Sequence, residues 1–136
     1  MTVEAFSEAA RSLADGGILI LNTFGDLQYP QHSYSSALEA TLTTVYSSVT
    51  SHGLEDTDSS VFYVAALGPL KEPPSFINTD NVHPACREAV EAAVLKIRPL
   101  SPSPPPFHDD GNRALYLDAL NRQQLRRHFV SVIDEL

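Results

Sequence analysis

The stretch that decides the fold is Gly16–Asn22, Gly-Gly-Ile-Leu-Ile-Leu-Asn, in which four consecutive aliphatic residues follow two glycines. A strand with one solvated face alternates apolar and polar residues, so this continuous run predicts a strand buried on both faces, as in the middle of a parallel sheet. The two glycines are expected to end a preceding helix, because glycine reaches the left-handed conformation without a steric penalty. Asn22 then falls at the carboxyl end of the strand, the edge at which open α/β sheets place their ligands.

The segments on either side of this run have the periodicities of further helices and strands. Residues 2–15 place apolar side chains at helical spacing, and a second helix is predicted to end near Tyr46. A short strand is predicted at Val49–His52 and a strongly apolar strand at Val61–Leu67. Because only a short loop separates these two strands, they are expected to form an antiparallel hairpin on an otherwise parallel sheet.

The second half of the chain is predicted to be helical on both sides of a proline-rich linker. Pro84 suits the first turn of a helix that runs to about Ile97. Residues 98–107 contain five prolines, at positions 99, 102, 104, 105 and 106, which favours a stiff, extended connection. A helical pattern returns at 113–134. The chain is therefore divided into residues 1–70 and a helical extension at 71–136.

Composition narrows the classes of function and the location. The net charge of −8 repels phosphate backbones, so nucleic acid is a poor partner, whereas a small cation such as a polyamine would be compatible. The one cysteine, Cys86, can form no internal disulfide and is expected to be a small buried apolar residue. Without a run of about 20 apolar residues or a basic amino-terminal signal, the chain is predicted to be cytoplasmic and not membrane-bound.

A family resemblance is carried by Phe6 and three segments, with a looser match near the end of the chain: Leu13–Asn22, Leu38–Val49 and Val61–Leu67, then Asp109, Asp110 and Asn112. Together they resemble the carboxyl half of the class I S-adenosylmethionine-binding Rossmann-like domain, and more narrowly its spermidine synthase-like (polyamine aminopropyltransferase) branch. The resemblance implies an α/β fold for residues 1–70. This would be a partial doubly wound, mostly parallel sheet with an antiparallel last strand and C-terminal helices. It also implies S-adenosylmethionine or its decarboxylated form as cofactor, with no metal.

The family's glycine-rich nucleotide loop and ribose-binding acid have no counterpart in the chain, so no cofactor-binding or catalytic residue is assigned. The substrate pocket of the family would lie at Asn22, Thr23, Gly25 and Asp26, in a loop longer than most strand-to-helix turns. Tyr29 could cover a ligand there. The alternative is that Asn22 and Asp26 form turns through their own backbone and that the tyrosine packs locally.

The run His108-Asp109-Asp110 contains three potential metal ligands. Three adjacent residues rarely point at one ion, and no second group has ligand spacing. A cap for the following helix is the favoured interpretation. No metal site is predicted.

The resemblance and the missing cofactor-binding motif lead to two alternative predictions of function. The first is a spermidine synthase-like transferase fragment, catalysing polyamine or methyl transfer once a missing amino half completes it. The second is a non-catalytic, degenerate module that oligomerises through an open sheet edge. In the parent fold the strand at Ile18–Leu21 has a neighbour from the amino half, and without that neighbour the edge would invite another chain. The expected partner is therefore a second copy or an amino-half polypeptide.

Overall fold

The computed structural model describes residues 1–24, 34–53, 60–72, 76–95, 97–102, 105–111 and 113–134, and in the last helix the side chains of 113–123, 126, 127 and 130. The elements in chain order are α1 (Val3–Ser12), β1 (Ile18–Phe24), α2 (Tyr34–Val45), β2 (Ser48–His52), β3 (Ser60–Ala66), a 3-10 turn (Pro84–Cys86), α3 (Arg87–Leu95), β4 (Ile97–Arg98) and α4 (Arg113–Asp134).

The four strands form one sheet in the order β1-β3-β2-β4, and every neighbouring pair is antiparallel. The prediction of a mostly parallel, partial doubly wound Rossmann-like sheet is therefore wrong. Strands β1 and β2 do run in the same direction, as a crossover through α2 requires. The hairpin strand β3 lies between them and pairs antiparallel with both.

The prediction that strand β1 is buried on both faces is also wrong. Its residues alternate between exposed and half-buried along the whole strand. Leu19 and Leu21 pack against the core, whereas Ile18 is 49% and Ile20 is 61% exposed. The aliphatic run predicts two covered faces, but the helices that the structure describes pack on only one of them.

The core lies between the sheet and helices α1 and α2. From the sheet it takes Val61, Tyr63 and Ala65, the residues of β3 that point towards the helices. From the helices it takes apolar side chains that are almost completely buried, among them Phe6, Leu38 and Leu42. Helix α4 adds to the same layer through Ala114 and Leu117, which pack against this cluster.

Helix α1 starts where the sequence predicts, but it ends at Ser12, so the glycines form a separate turn before β1 and do not end the helix. The Thr2 hydroxyl caps the helix by accepting from the Ala5 N–H at 3.3 Å. The helix ends at Ser12, and Gly16 adopts a φ of 72° in the turn before β1. A Cβ on Gly17 would lie 2.8 Å from the Ala14 carbonyl oxygen, so both glycines are required for this turn.

The proline-rich segment is fixed at both ends. Before it, β4 pairs with β2, so Ile97 lies in a strand and not at the end of the predicted helix. After it, Phe107 is 1% exposed in the core and donates its N–H to the Thr41 hydroxyl at 2.8 Å. The Phe107 carbonyl accepts from the Val3 N–H at 2.9 Å. Cys86 is exposed, which contradicts the prediction that it is buried.

Candidate functional site

The face of the sheet that points away from α1 and α2 carries large exposed apolar side chains. We call it the open face. By strand register it comprises Ile18, Ile20, Asn22 and Phe24 on β1, Ser60, Phe62, Val64 and Ala66 on β3, Ser48, Thr50 and His52 on β2, and Ile97 on β4. Phe24 is 45%, Phe62 is 42% and Ile97 is 44% exposed. A contiguous apolar surface of this kind marks an interaction site more often than a solvated face.

The open face has no Asp, Glu, Lys or Arg at any of these positions, although the chain has 17 acidic and 9 basic residues. The charge that gives the protein its net value of −8 therefore lies elsewhere. Depletion of charge at an apolar centre is the compositional mark of protein–protein interfaces.

The apolar residues of the open face cluster on β1 and β3. We call Ile18, Ile20, Phe24, Phe62 and Val64 the apolar strip. The β2 side of the same face is polar, with Ser48, Thr50 and His52 half-buried, and the Thr50 hydroxyl lies 3.1 Å from His52 Nε2. An apolar centre with a polar flank resembles the core and rim of an interface.

One end of the apolar strip opens into a cleft of about 560 Å³. We call it the end cleft. Its floor is Ile18, Val64 and Ala66, and its walls are residues 13–17 and 67–71. Leu67 is 54% exposed at this wall. The volume falls within the range of roughly 300–1,000 Å³ that is common for ligand sites.

The predicted substrate-binding residues lie at the other end of the strip. Asn22 and Thr23 both line a second cleft of about 150 Å³. Its other residues are Met1, Phe24, Asp118, Asn121 and Arg122. The Asn121 side chain donates to the Phe24 carbonyl, so α4 closes one side of this cleft. Its volume is below the range of roughly 300 Å³ and more that small-molecule sites occupy. Gly25, Asp26 and Tyr29 lie outside the described residues.

A buried carboxylate that the sequence did not single out lies under the sheet. Glu39 on α2 is 5% exposed; its Oε1 accepts from the Tyr63 hydroxyl at 3.2 Å and its Oε2 from the Ser101 N–H at 2.6 Å. Burial raises the pKa of Glu39, and burial together with the nearby Glu39 carboxylate raises the pKa of Tyr63. Glu39 lines neither of the two clefts. Its hydrogen bonds connect α2 to the sheet and to the chain after β4.

The His108-Asp109-Asp110 run lies against the first turn of α1. His108 Nδ1 is 2.9 Å from Glu4 Oε1, and the Thr2 hydroxyl donates to the Asp109 carboxylate. The hydrogen bond between His108 and Glu4 raises the pKa of His108 and lowers that of Glu4. Within the part of the chain that the structure describes, no group of three His, Cys, Asp or Glu side chains could hold a metal ion.

Comparison with known proteins adds no relative. No family model, no curated protein and no solved structure matches the chain. The described helices include none that is both long and apolar enough to cross a membrane.

Proposed function

We propose that the chain is a non-catalytic assembly module that forms a homodimer, in which the open faces of two copies pack against each other. The exposed apolar strip is the observation that carries this proposal. Two sheets that pack in this way lie about 10 Å apart, and their facing side chains interdigitate. The helices of each copy would then form the outer layers of the dimer.

The exposed apolar area of the open face supports a stable dimer. If a large apolar side chain carries roughly 200 Å² of surface, the half-exposed Ile18, Ile20, Phe24, Phe62 and Ile97 present on the order of 500 Å². A standard interface buries about 800 Å² per partner, so this surface accounts for more than half. Burial of this apolar surface is the favourable contribution that offsets the cost of association.

Pairing through the edge of the sheet gains less. Strand β1 is at one edge of the described sheet, so its outer side is placed to bind another strand. A net gain of about 1 kcal/mol for each hydrogen bond would give a seven-residue strand only a few kcal/mol. We therefore place the homo-oligomer interface on the open face, while edge pairing remains a separate prediction.

The absence of charge on the open face favours a second copy as the partner. A basic partner would be drawn to the acidic surfaces of this chain, not to a face without carboxylates. Two open faces offer each other an apolar centre without bringing charges together. A cytoplasmic location remains part of this proposal, because one cysteine can form no internal disulfide.

Transferase activity has less support. The family resemblance implies it, and the predicted pocket depends on Asn22 at the carboxyl end of a strand in an open α/β sheet. The antiparallel sheet removes that geometry. Binding of S-adenosylmethionine or its decarboxylated form and of an amino-half polypeptide remain predictions from the resemblance, and a cationic substrate remains one from the resemblance and the net charge.

The experiment is sedimentation equilibrium of the wild type, Ile20→Glu and Leu115→Glu. The wild type is expected to dimerise at micromolar concentration. Ile20→Glu would bury one carboxylate from each copy and is expected to raise the dimer Kd at least about 100-fold. Leu115, 71% exposed on α4, provides a matched control whose substitution leaves the Kd unchanged. A folded wild type that stays monomeric at hundreds of micromolar would overturn the proposal.

A further inference from the structure

The two ends of the apolar strip differ in shape. Phe24 and Phe62, the two largest side chains of the open face, lie partly exposed at the end where β1 finishes and β3 begins. The end cleft is at the opposite end, beside Ile18 and Ala66. Six residue steps along β1 separate the two ends, which is about 20 Å at roughly 3.3 Å per residue. The strip therefore has an aromatic end and a hollow end.

A two-fold dimer can bring two open faces together in two limiting ways. A two-fold interface uses the same surface on both copies, and its axis lies in the plane between the sheets. If the axis runs along the strands, each end meets the same end of the partner. If the axis runs across the strands, each end meets the opposite end of the partner.

Packing decides between the two arrangements. With the axis along the strands, two clefts of about 560 Å³ each would face one another, and two pairs of phenylalanines would hold the sheets apart at the other end. Protein interiors and interface cores rarely contain voids larger than a water molecule. With the axis across the strands, the aromatic end of each copy meets the hollow end of the other. In this arrangement neither the two clefts nor the two pairs of phenylalanines face each other.

We infer that the end cleft is the binding site for the aromatic end of a second copy, so that Phe24 and Phe62 of each copy enter the end cleft of the other. This inference rests on the proposed homodimer and adds its symmetry axis. Continuity supports it, because Ile18 and Val64 belong both to the apolar strip and to the floor of the cleft. Leu67 at the wall supplies apolar surface for the partner's rings.

The test uses single cysteines at the two ends, in a Cys86→Ser background that removes the exposed native thiol. Ser60→Cys marks the aromatic end, since Ser60 pairs with Phe24 across the strands. Gly68→Cys marks the hollow end, where a Cβ meets no atom within 4 Å. One protein carries a mass tag, and the two are mixed and treated with a short bismaleimide cross-linker, which bridges thiols on facing sheets. Light scattering of the same mixture before cross-linking gives the oligomeric state.

The expected product is the mixed cross-link, which joins a Ser60→Cys copy to a Gly68→Cys copy. It is expected at least about tenfold above either symmetric product, because facing sheets lie about 10 Å apart, whereas the two ends of the strip are about 20 Å apart. Circular dichroism of each variant establishes that it is folded. A dimer in which two Ser60→Cys copies are joined instead, or in which no cross-link forms, would overturn the inference while leaving the homodimer intact. A monomer would overturn both.

Discussion

The two faces of strand β1 lie in different surroundings. Leu19 and Leu21 pack against the core under the helices, whereas Ile18 and Ile20, from the same aliphatic run, are about half exposed. The covered face also contains Tyr63 and Glu39 as hydrogen-bonded polar groups, while the open face pairs its apolar strip with the half-buried hydroxyls of β2. A stretch with no alternation of its own can therefore lie on a sheet with only one covered face. Its exposed half is then free for an interface.

The largest effect is expected from a matched pair of phenylalanines on the two sides of the sheet. Phe107→Ala empties a fully buried core position and is expected to lower the free energy of unfolding by about 3–5 kcal/mol. Phe62→Ala, on the open face, is expected to lower it by less than about 1 kcal/mol in a dilute, monomeric sample. Urea unfolding followed by circular dichroism compares the two variants. Equal losses would show that the open face is covered within the monomer.

A smaller effect is expected at Glu39, the carboxylate on the covered side. Burial raises its pKa in the folded protein, so its contribution to stability is fully present below the pKa of the unfolded chain. The contribution is lost as the pH rises through the higher folded value. Glu39→Gln keeps an oxygen for the Ser101 N–H and is expected to flatten this part of the pH–stability profile. Urea unfolding at a series of pH values from about 4 to about 8 measures the profile.

The control for this profile is Glu8→Gln, whose side chain is 80% exposed on α1. That variant is expected to keep the wild-type shape of the curve. If Glu39→Gln also kept it, the buried carboxylate would have no part in the pH dependence of stability.

The local structure of the first half was predictable because short-range signals determine it. Thr2 caps α1, Gly16 takes the left-handed conformation, and the strand after a short loop forms a hairpin with β2. Each of these depends on neighbours within a few residues. The order of strands does not, because the sequence contains no local signal that places β3 between β1 and β2.

The candidate site was less predictable for a related reason. The predicted pocket relied on Asn22 at the end of a parallel strand, and the structure puts Asn22 on the open face beside a cleft of only about 150 Å³. The proposed interface is centred on the apolar strip, whose residues Ile20 and Phe62 are of types that a sequence-based prediction assigns to the core. Glu39 was missed because a single acid on a helix is usually solvated. Only long-range packing decides whether an apolar strand residue is buried or exposed, and whether an acid on a helix is solvated or buried.

The smallest effect is expected within the open face itself, where it tests whether the apolar strip alone drives association. Thr50→Ala on the polar β2 side is expected to change the free energy of dimerisation by less than about 0.5 kcal/mol, because rim residues contribute little. Ile20→Ala, 61% exposed at the centre of the strip, removes apolar area from both copies and is expected to cost at least about 1 kcal/mol. Sedimentation equilibrium measures both values. If Thr50→Ala weakened the dimer as much as Ile20→Ala, the interface would extend evenly over the sheet, and the contrast between strip and rim would fail.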